Sequence, residues 1–211
     1  MDHLNLLIKR YPTLNGCAGD ILNAYKILED SFKNGNKLLV AGNGGSCADA
    51  QHIVGELMKG FKLPRKCSEE FENKLKSIDA ERGAELAAKL QGGLPSIALV
   101  EHQGLNTAYI NDVVGGGLLT YAQQVYGYGK TGDVFLGIST SGNSKNVMNA
   151  AVTARALGMK VIGLTGANGG ELGKFADVAI KVPETETYMI QELHLPVYHC
   201  LCLMLEERFF G

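Results

Sequence analysis

Residues 133–165 read DVFLGISTSGNSKNVMNAAVTARALGMKVIGLT, and this one segment holds a strand, a loop, a helix and a second strand. DVFLGI (133–138) and KVIGLT (160–165) are short, nearly continuous apolar runs rich in β-branched residues. Such runs mark strands buried on both faces, because an alternating pattern would signal a half-solvated sheet. Between them, SKNVMNAAVTARALGM has helical character. A strand, a crossover helix and another buried strand specify a parallel pair with the helix packed on the sheet.

Three more runs of the same kind lie outward along the chain: KLLVAG (37–42), PSIALV (95–100) and DVAIKV (177–182). With helical patterns such as SCADAQHIVGELMKGF between them, they predict a parallel sheet covered by helices on both sides. Residues 3–34 read as one or two helices broken near YPTLNG by Pro12 and Gly16. Residues 188–208 read as a long helix in which Pro196 kinks the chain or marks an early turn. The Glu/Lys-rich segment 59–94 reads as a helical excursion outside the sheet, ended by Gly92-Gly93. Its plain reading is a solvated helical pair, with a lid or a subunit contact as the alternative.

The chain has 211 residues and 45% apolar content, enough for one sizeable core. A formal net charge of −2 without a basic block argues against a nucleic-acid partner. No run approaches the length of a membrane span. The five cysteines (17, 47, 67, 200 and 202) form no C-x-x-C pair, and no apolar leader opens the sequence. A reduced cytoplasmic setting is therefore expected, with the cysteines acting as small buried hydrophobes.

The loop GISTSGNSKNV crowds four hydroxyls, Ser139, Thr140, Ser141 and Ser144, between a strand and a helix start. The first N–H groups of a helix have no internal partner and carry partial positive charge, so an anion fits there. A single cap needs one hydroxyl rather than four, which makes this loop a candidate phosphate cradle. It is not a Walker loop or a dinucleotide fingerprint, since neither spacing is present. AGNGGSCADAQH ends the first strand in a similar way, with Gly42, Gly44 and Gly45 freeing the backbone and Ser46 placed to cap or donate. Ligands of open α/β sheets bind at such strand ends, so the two loops are expected to converge on a phosphorylated small molecule. LTGANGGE (164–171) is a third junction, whose glycines are read as serving the turn alone.

His52 and Glu56 lie four apart, on one helical face, and could share a metal or act as a base with its orienting partner. Gln191 and His199 share a face of the last helix, but eight residues separate them by about 12 Å along its axis. One metal could hardly take both from a single regular helix. Either Gln191 precedes the helix, or the two serve one pocket from different chains.

Taken together, GNGGSCADAQHIVGEL, GISTSGNSKNV and IQELHLPVYH resemble the sugar isomerase (SIS) domain family, and within it the sedoheptulose 7-phosphate isomerases. The resemblance covers about residues 1–58 and 95–208. It implies a single α/β domain: a three-layer sandwich with a five-stranded parallel sheet in flavodoxin-like order, plus N-terminal helices. It also implies a homotetramer with active sites built between subunits and a sugar-phosphate substrate. By this resemblance, Asn43, Gly44, Gly45 and Ser46 bind substrate, as do Asn111 and Asp112 of YIND. Ser139, Thr140, Ser141 and Ser144 hold the phosphate. His52, Glu56, Gln191 and His199 form the zinc-ligand and catalytic set, with Glu56 and His199 as the acid–base pair. Glu56 and Gln191 also contact substrate.

Two features depart from the family pattern. Residues 59–94 look like an insertion of about two dozen residues, and His102 and Gly104 stand where an Asp and a Ser are usual. The implied reaction moves a proton between C1 and C2 of a seven-carbon sugar phosphate through an enediol, feeding activated-heptose synthesis. Another phosphosugar isomerase or lyase is the nearest alternative. A non-catalytic SIS protein, either a phosphosugar sensor or a partner of the replication initiator, is the other; retention of Glu56 and His199 speaks against it.

Overall fold

The computed structural model describes residues 2–211. In chain order the elements are α1 (Asp2–Arg10), a 3-10 turn (Pro12–Cys17), α2 (Ala18–Lys33), β1 (Leu38–Gly42), α3 (Gly45–Met58), α4 (Glu69–Ile78), α5 (Ala80–Lys89), β2 (Ser96–Ala98) and α6 (Gln103–Asp112). After these come α7 (Thr120–Tyr128), β3 (Val134–Ile138), α8 (Lys145–Ala156), β4 (Lys160–Thr165), α9 (Gly170–Phe175), β5 (Val178–Lys181) and α10 (Thr187–Phe210). All five expected strands are present, and every pairing is parallel. Their order is β2-β1-β3-β4-β5, which is the flavodoxin-like order.

Strand alternation divides the core between the two faces of the sheet. Leu38 and Val40 of β1 join Val134, Leu136 and Ile162 on one side, against Ile21 and Leu28 of α2, Ile53 and Leu57 of α3, and Val197 and Leu201 of α10. Leu39 and Ala41 join Phe135 and Val161 on the other side, against Val125 of α7, Val147 and Ala150 of α8, and Leu172 of α9. A one-residue slip of β1 would exchange these sets, so both layers fix the register.

Pro12 and Gly16 do break the N-terminal helix: the 3-10 turn lies between α1 and α2. Pro196 behaves differently from the early-turn option. α10 is 24 residues long and continues through it without interruption, with Pro196 buried in its third turn. The segment that looked like an insertion folds as a hairpin of α4 and α5. Ser68 accepts from the Phe71 N–H at 3.2 Å and Asp79 accepts from the Arg82 N–H at 2.9 Å, capping the two helices. Its apolar residues Phe71, Ile78, Leu86 and Leu90 are exposed. Cys17, Cys200 and Cys202 are buried as expected, whereas Cys47 and Cys67 are half-buried. Among the described residues, no helix is long and apolar enough to cross a membrane.

Candidate active site

The strand order reverses between β1 and β3, and the loops after these two strands meet in the crevice so formed. Asn43 of the first loop and Asn146 of α8 exchange two amide hydrogen bonds, each 2.9 Å long. The Tyr121 hydroxyl donates to the Gly42 carbonyl at 2.7 Å and pins the first loop from behind. Gly45 has a packing reason: a Cβ there would stand 2.6 Å from the amide nitrogen of Gln191. The Gln191 side chain thus lies on the start of α3. Ser46 is buried in the first turn of α3 rather than capping it; the cap position is Gly44.

In the second loop the Ser139 and Ser144 hydroxyls are 3.0 Å apart, and Ser141 accepts from the Asn143 N–H at 3.2 Å. Ser144 is the N-cap of α8 yet makes no side-chain capping bond, which leaves its hydroxyl and the helix start available to an anion. Thr140 and Ser141 line a cavity of ≈ 190 Å³ together with Asn168, Thr185 and Thr187. The third junction does more than turn the chain. Gly142 has φ +69° and abuts the Gly169 carbonyl, and the Glu171 N–H donates to Asn143 Oδ1 at 3.0 Å. Loop 166–171 therefore buttresses the hydroxyl loop, a role that its glycine content alone did not reveal.

The residues expected to act as acid and base meet further along α3 and α10. His52 Nε2 lies 3.4 Å from Glu56 Oε1 and 3.4 Å from His199 Nε2. Lys59 Nζ holds the other Glu56 oxygen at 3.0 Å. On its far side, His52 Nδ1 is 3.0 Å from the Tyr198 hydroxyl, which donates to Asp49 Oδ1 at 3.2 Å. An ionised carboxylate only accepts, so the hydroxyl proton belongs on the Asp49 side and the His52 Nδ1–H donates to the phenol oxygen. That fixes the tautomer and leaves the Nε2 lone pair facing Glu56 and His199. Burial raises the Asp49 carboxyl above its usual range, opposed by the Tyr198 hydrogen bond and by His52. Burial of the Tyr198 phenol, followed by the Asp49 charge, pushes its pKa up. Burial and then the neighbouring His52 lower the pKa of His199, with Glu56 opposing. Asp49 and Tyr198 had no sequence signal beyond lying near His52 and His199.

Imidazole and carboxylate are both donors that zinc accepts. Bonds of about 2.0–2.1 Å in a tetrahedral site place ligand atoms about 3.3–3.4 Å apart, and both contacts of His52 Nε2 match that edge. Even so, among the described residues no group of three or more His, Cys, Asp or Glu side chains stands close enough together, as it is, to hold a metal ion. Gln191 is not a fourth ligand within the chain, since it packs on Gly45, eight residues of helix before His199. Nor does the structure bring Asn111 and Asp112 to these groups. They are exposed at the end of α6, where Asn111 donates to Asp112 at 2.9 Å. His102, standing at the family's Asp position, caps α6 by accepting from the Leu105 N–H at 3.3 Å.

The family model described as the SIS domain matches residues 82–166. A phosphoheptose isomerase from Geotalea daltonii is 41% identical over 186 residues, covering 88% of this chain and 82% of the relative. Phosphoheptose isomerase 2 of Campylobacter jejuni is 41% identical over 191 residues, covering 90% and 81%. The solved structure of a phosphoheptose isomerase from Francisella tularensis superposes with a TM-score of 0.76 at 32% identity, over 94% of this chain and 91% of that one. A phosphoheptose isomerase from Neisseria gonorrhoeae superposes with a TM-score of 0.74 at 30% identity, over 98% and 96%.

Proposed function

Because the chain belongs to the phosphoheptose isomerase family of SIS-domain proteins, we propose that it interconverts sedoheptulose 7-phosphate and D-glycero-D-manno-heptose 7-phosphate. It is an aldose–ketose isomerase of heptose biosynthesis. The observation that carries this reading is the meeting of His199 with His52 and Glu56 across two helices. Fold alone would not distinguish an isomerase from a binding protein.

The reaction needs a base at the carbon, an acid at the carbonyl oxygen and stabilisation of the enediolate. Glu56 takes the proton from one carbon and returns it to its neighbour. His199, whose pKa burial and then His52 lower, passes a proton to and from the oxygen. Tyr198 and Asp49 hold His52 in one orientation. The hydroxyls of Ser139, Thr140, Ser141 and Ser144 grip the phosphate, the end of the substrate that does not react. Binding energy at that remote end orients the reacting carbons. Asn43, Gly44, Gly45 and Gln191 line the loop beside it.

Zinc is part of the proposal. His52, Glu56 and His199 would hold it, and it would polarise the substrate carbonyl. A carboxylate committed to a metal is a poor base, so Glu56 must release one role to perform the other.

Helix geometry supports a site shared between copies of the chain. Ser46 and Glu56 are ten residues apart in α3, about 15 Å along the axis, so Glu56 stands well away from the first loop of its own chain. His199 opens instead onto a cavity of ≈ 190 Å³ walled by His3, Leu6 and Arg10 of α1. Ile110, Val114 and Leu118 are exposed beside Asn111 and Asp112, and a homotetramer would cover them. A cytoplasmic setting fits the five unpaired cysteines.

The test is conversion of sedoheptulose 7-phosphate by the wild-type protein and by Glu56→Gln. Turnover that is lost in the variant supports the reading; its persistence at the wild-type rate sinks it. Metal analysis of the purified protein checks the zinc, and a fully active monomer would contradict the shared site.

A further inference from the structure

We propose that the buried ion pair Arg65–Glu206 is the positioning device that sets Glu56 and His52 against His199. This inference rests on the isomerase reading of that site. Both side chains are essentially inaccessible, at 0% and 1% exposure. Neither touches the place where substrate would react, yet Arg65 is bonded to the main chain that carries Glu56, and Glu206 shares its helix with His199.

Arg65 closes the end of α3. Its Nη1 donates to the Leu57 carbonyl at 2.6 Å and its Nη2 to the carbonyl of Glu56 itself at 3.0 Å. These are carbonyls of the last helical turn, which have no N–H partner within the helix. The third donor, Nε, reaches Glu206 Oε1 at 2.9 Å. Glu206 also accepts the N–H groups of Phe61, Lys62 and Leu63, at 2.7, 2.8 and 3.1 Å. Glu206 follows His199 by seven residues on α10, two turns on and about 10.5 Å along the axis. The turn it binds places the Phe61 ring 5.3 Å from the His199 ring, centroid to centroid. One ion pair therefore ties the backbone of the base, the turn that packs on the acid, and the helix that carries the acid.

Stability alone gives a weak reason for this arrangement. Apolar residues of similar volume often replace a buried ion pair at no loss of stability. What they do not replace is direction: six charge-assisted hydrogen bonds fix the position of each carbonyl and N–H they reach. A displacement of 1 Å between acid and base can cost two orders of magnitude in rate. Arg65 and Phe61 also lie in the first turn of the segment that departs from the family pattern, which gives that turn a task in the chemistry.

The test compares the wild-type protein with Glu206→Gln, Arg65→Lys and the double variant Arg65→Met/Glu206→Leu, using sedoheptulose 7-phosphate as substrate and thermal melts to follow folding. The expected result is a fall in kcat of about tenfold or more with KM within about twofold of wild type, because the cradle at Ser139–Ser144 is untouched. The double variant is expected to fold and still show the kcat loss. Folded variants with wild-type kcat overturn the proposal, as does a rise in KM at unchanged kcat. If none of the variants folds, the pair serves stability alone and the proposal also falls. Wild-type protein without turnover would remove the isomerase reading, and this inference with it; wild-type turnover with unaffected variants removes this inference only.

Discussion

His194 makes the stability of this protein depend on pH in a way that can be worked out in advance. The residue lies on α10 with no exposed surface, and neither ring nitrogen has a hydrogen-bond partner. Burial pulls its pKa down to about 4; the main chain near Thr165 opposes this weakly, without a bond of proper geometry. In the unfolded chain the same imidazole titrates near 6.5. Below that pH the unfolded state takes up a proton that the folded state refuses. The contribution is thus complete above about pH 6.5 and is lost as pH falls towards 4. The gap between the two values corresponds to about 3 kcal/mol in full, of which about 2 kcal/mol is gone by pH 5.

Urea unfolding at pH 8 and pH 5, at one protein concentration, measures this difference directly. Wild-type protein is expected to lose about 2 kcal/mol more between the two conditions than His194→Leu, which has nothing to protonate at that position. Other titrating groups act equally on both proteins and cancel. If the two show the same pH dependence to within about 0.5 kcal/mol, His194 is either hydrated or already charged, and the reasoning fails.

Two further outcomes test the cradle. Gly142→Ala puts a Cβ on a left-handed residue and against the Gly169 carbonyl. It is expected to cost about 2 kcal/mol or more of stability and to raise KM, as thermal melts and steady-state kinetics would show; a neutral result would mean that the loop relaxes freely. Ser139→Ala and Ser144→Ala each remove a hydroxyl available to the phosphate. Each is expected to raise KM about tenfold or more, since hydrogen bonds to charged groups contribute about 1.5–3 kcal/mol. Unchanged KM in both would place the phosphate elsewhere.

The five strands were legible because buried parallel strands have a local signature, a continuous apolar run with glycine or a polar loop at its end. The hydroxyl loop was legible for the same reason: strand, hydroxyl loop and helix start are consecutive in Ser139–Ser144, so chain order alone assembles them. The separation of Gln191 from His199 also followed from the sequence, since the rise per residue of a helix forbids one metal from reaching both. The fate of Pro196 did not, because the packing of α10 against the sheet outweighs one missing N–H.

Only the tertiary structure could pair Tyr198 with Asp49, 149 positions away, or Arg65 with Glu206, 141 positions away. Neither pair has a spacing or a composition that marks it. What the sequence determined by itself was everything carried by near neighbours: the parallel sheet, the hydroxyl loop, and the His52–Glu56 face. What required the fold was every contact between α3 and α10, because two helices distant in the chain are brought to one register only by the sheet on which both pack. That packing, rather than any local propensity, decides which side chains meet His52 and from which side.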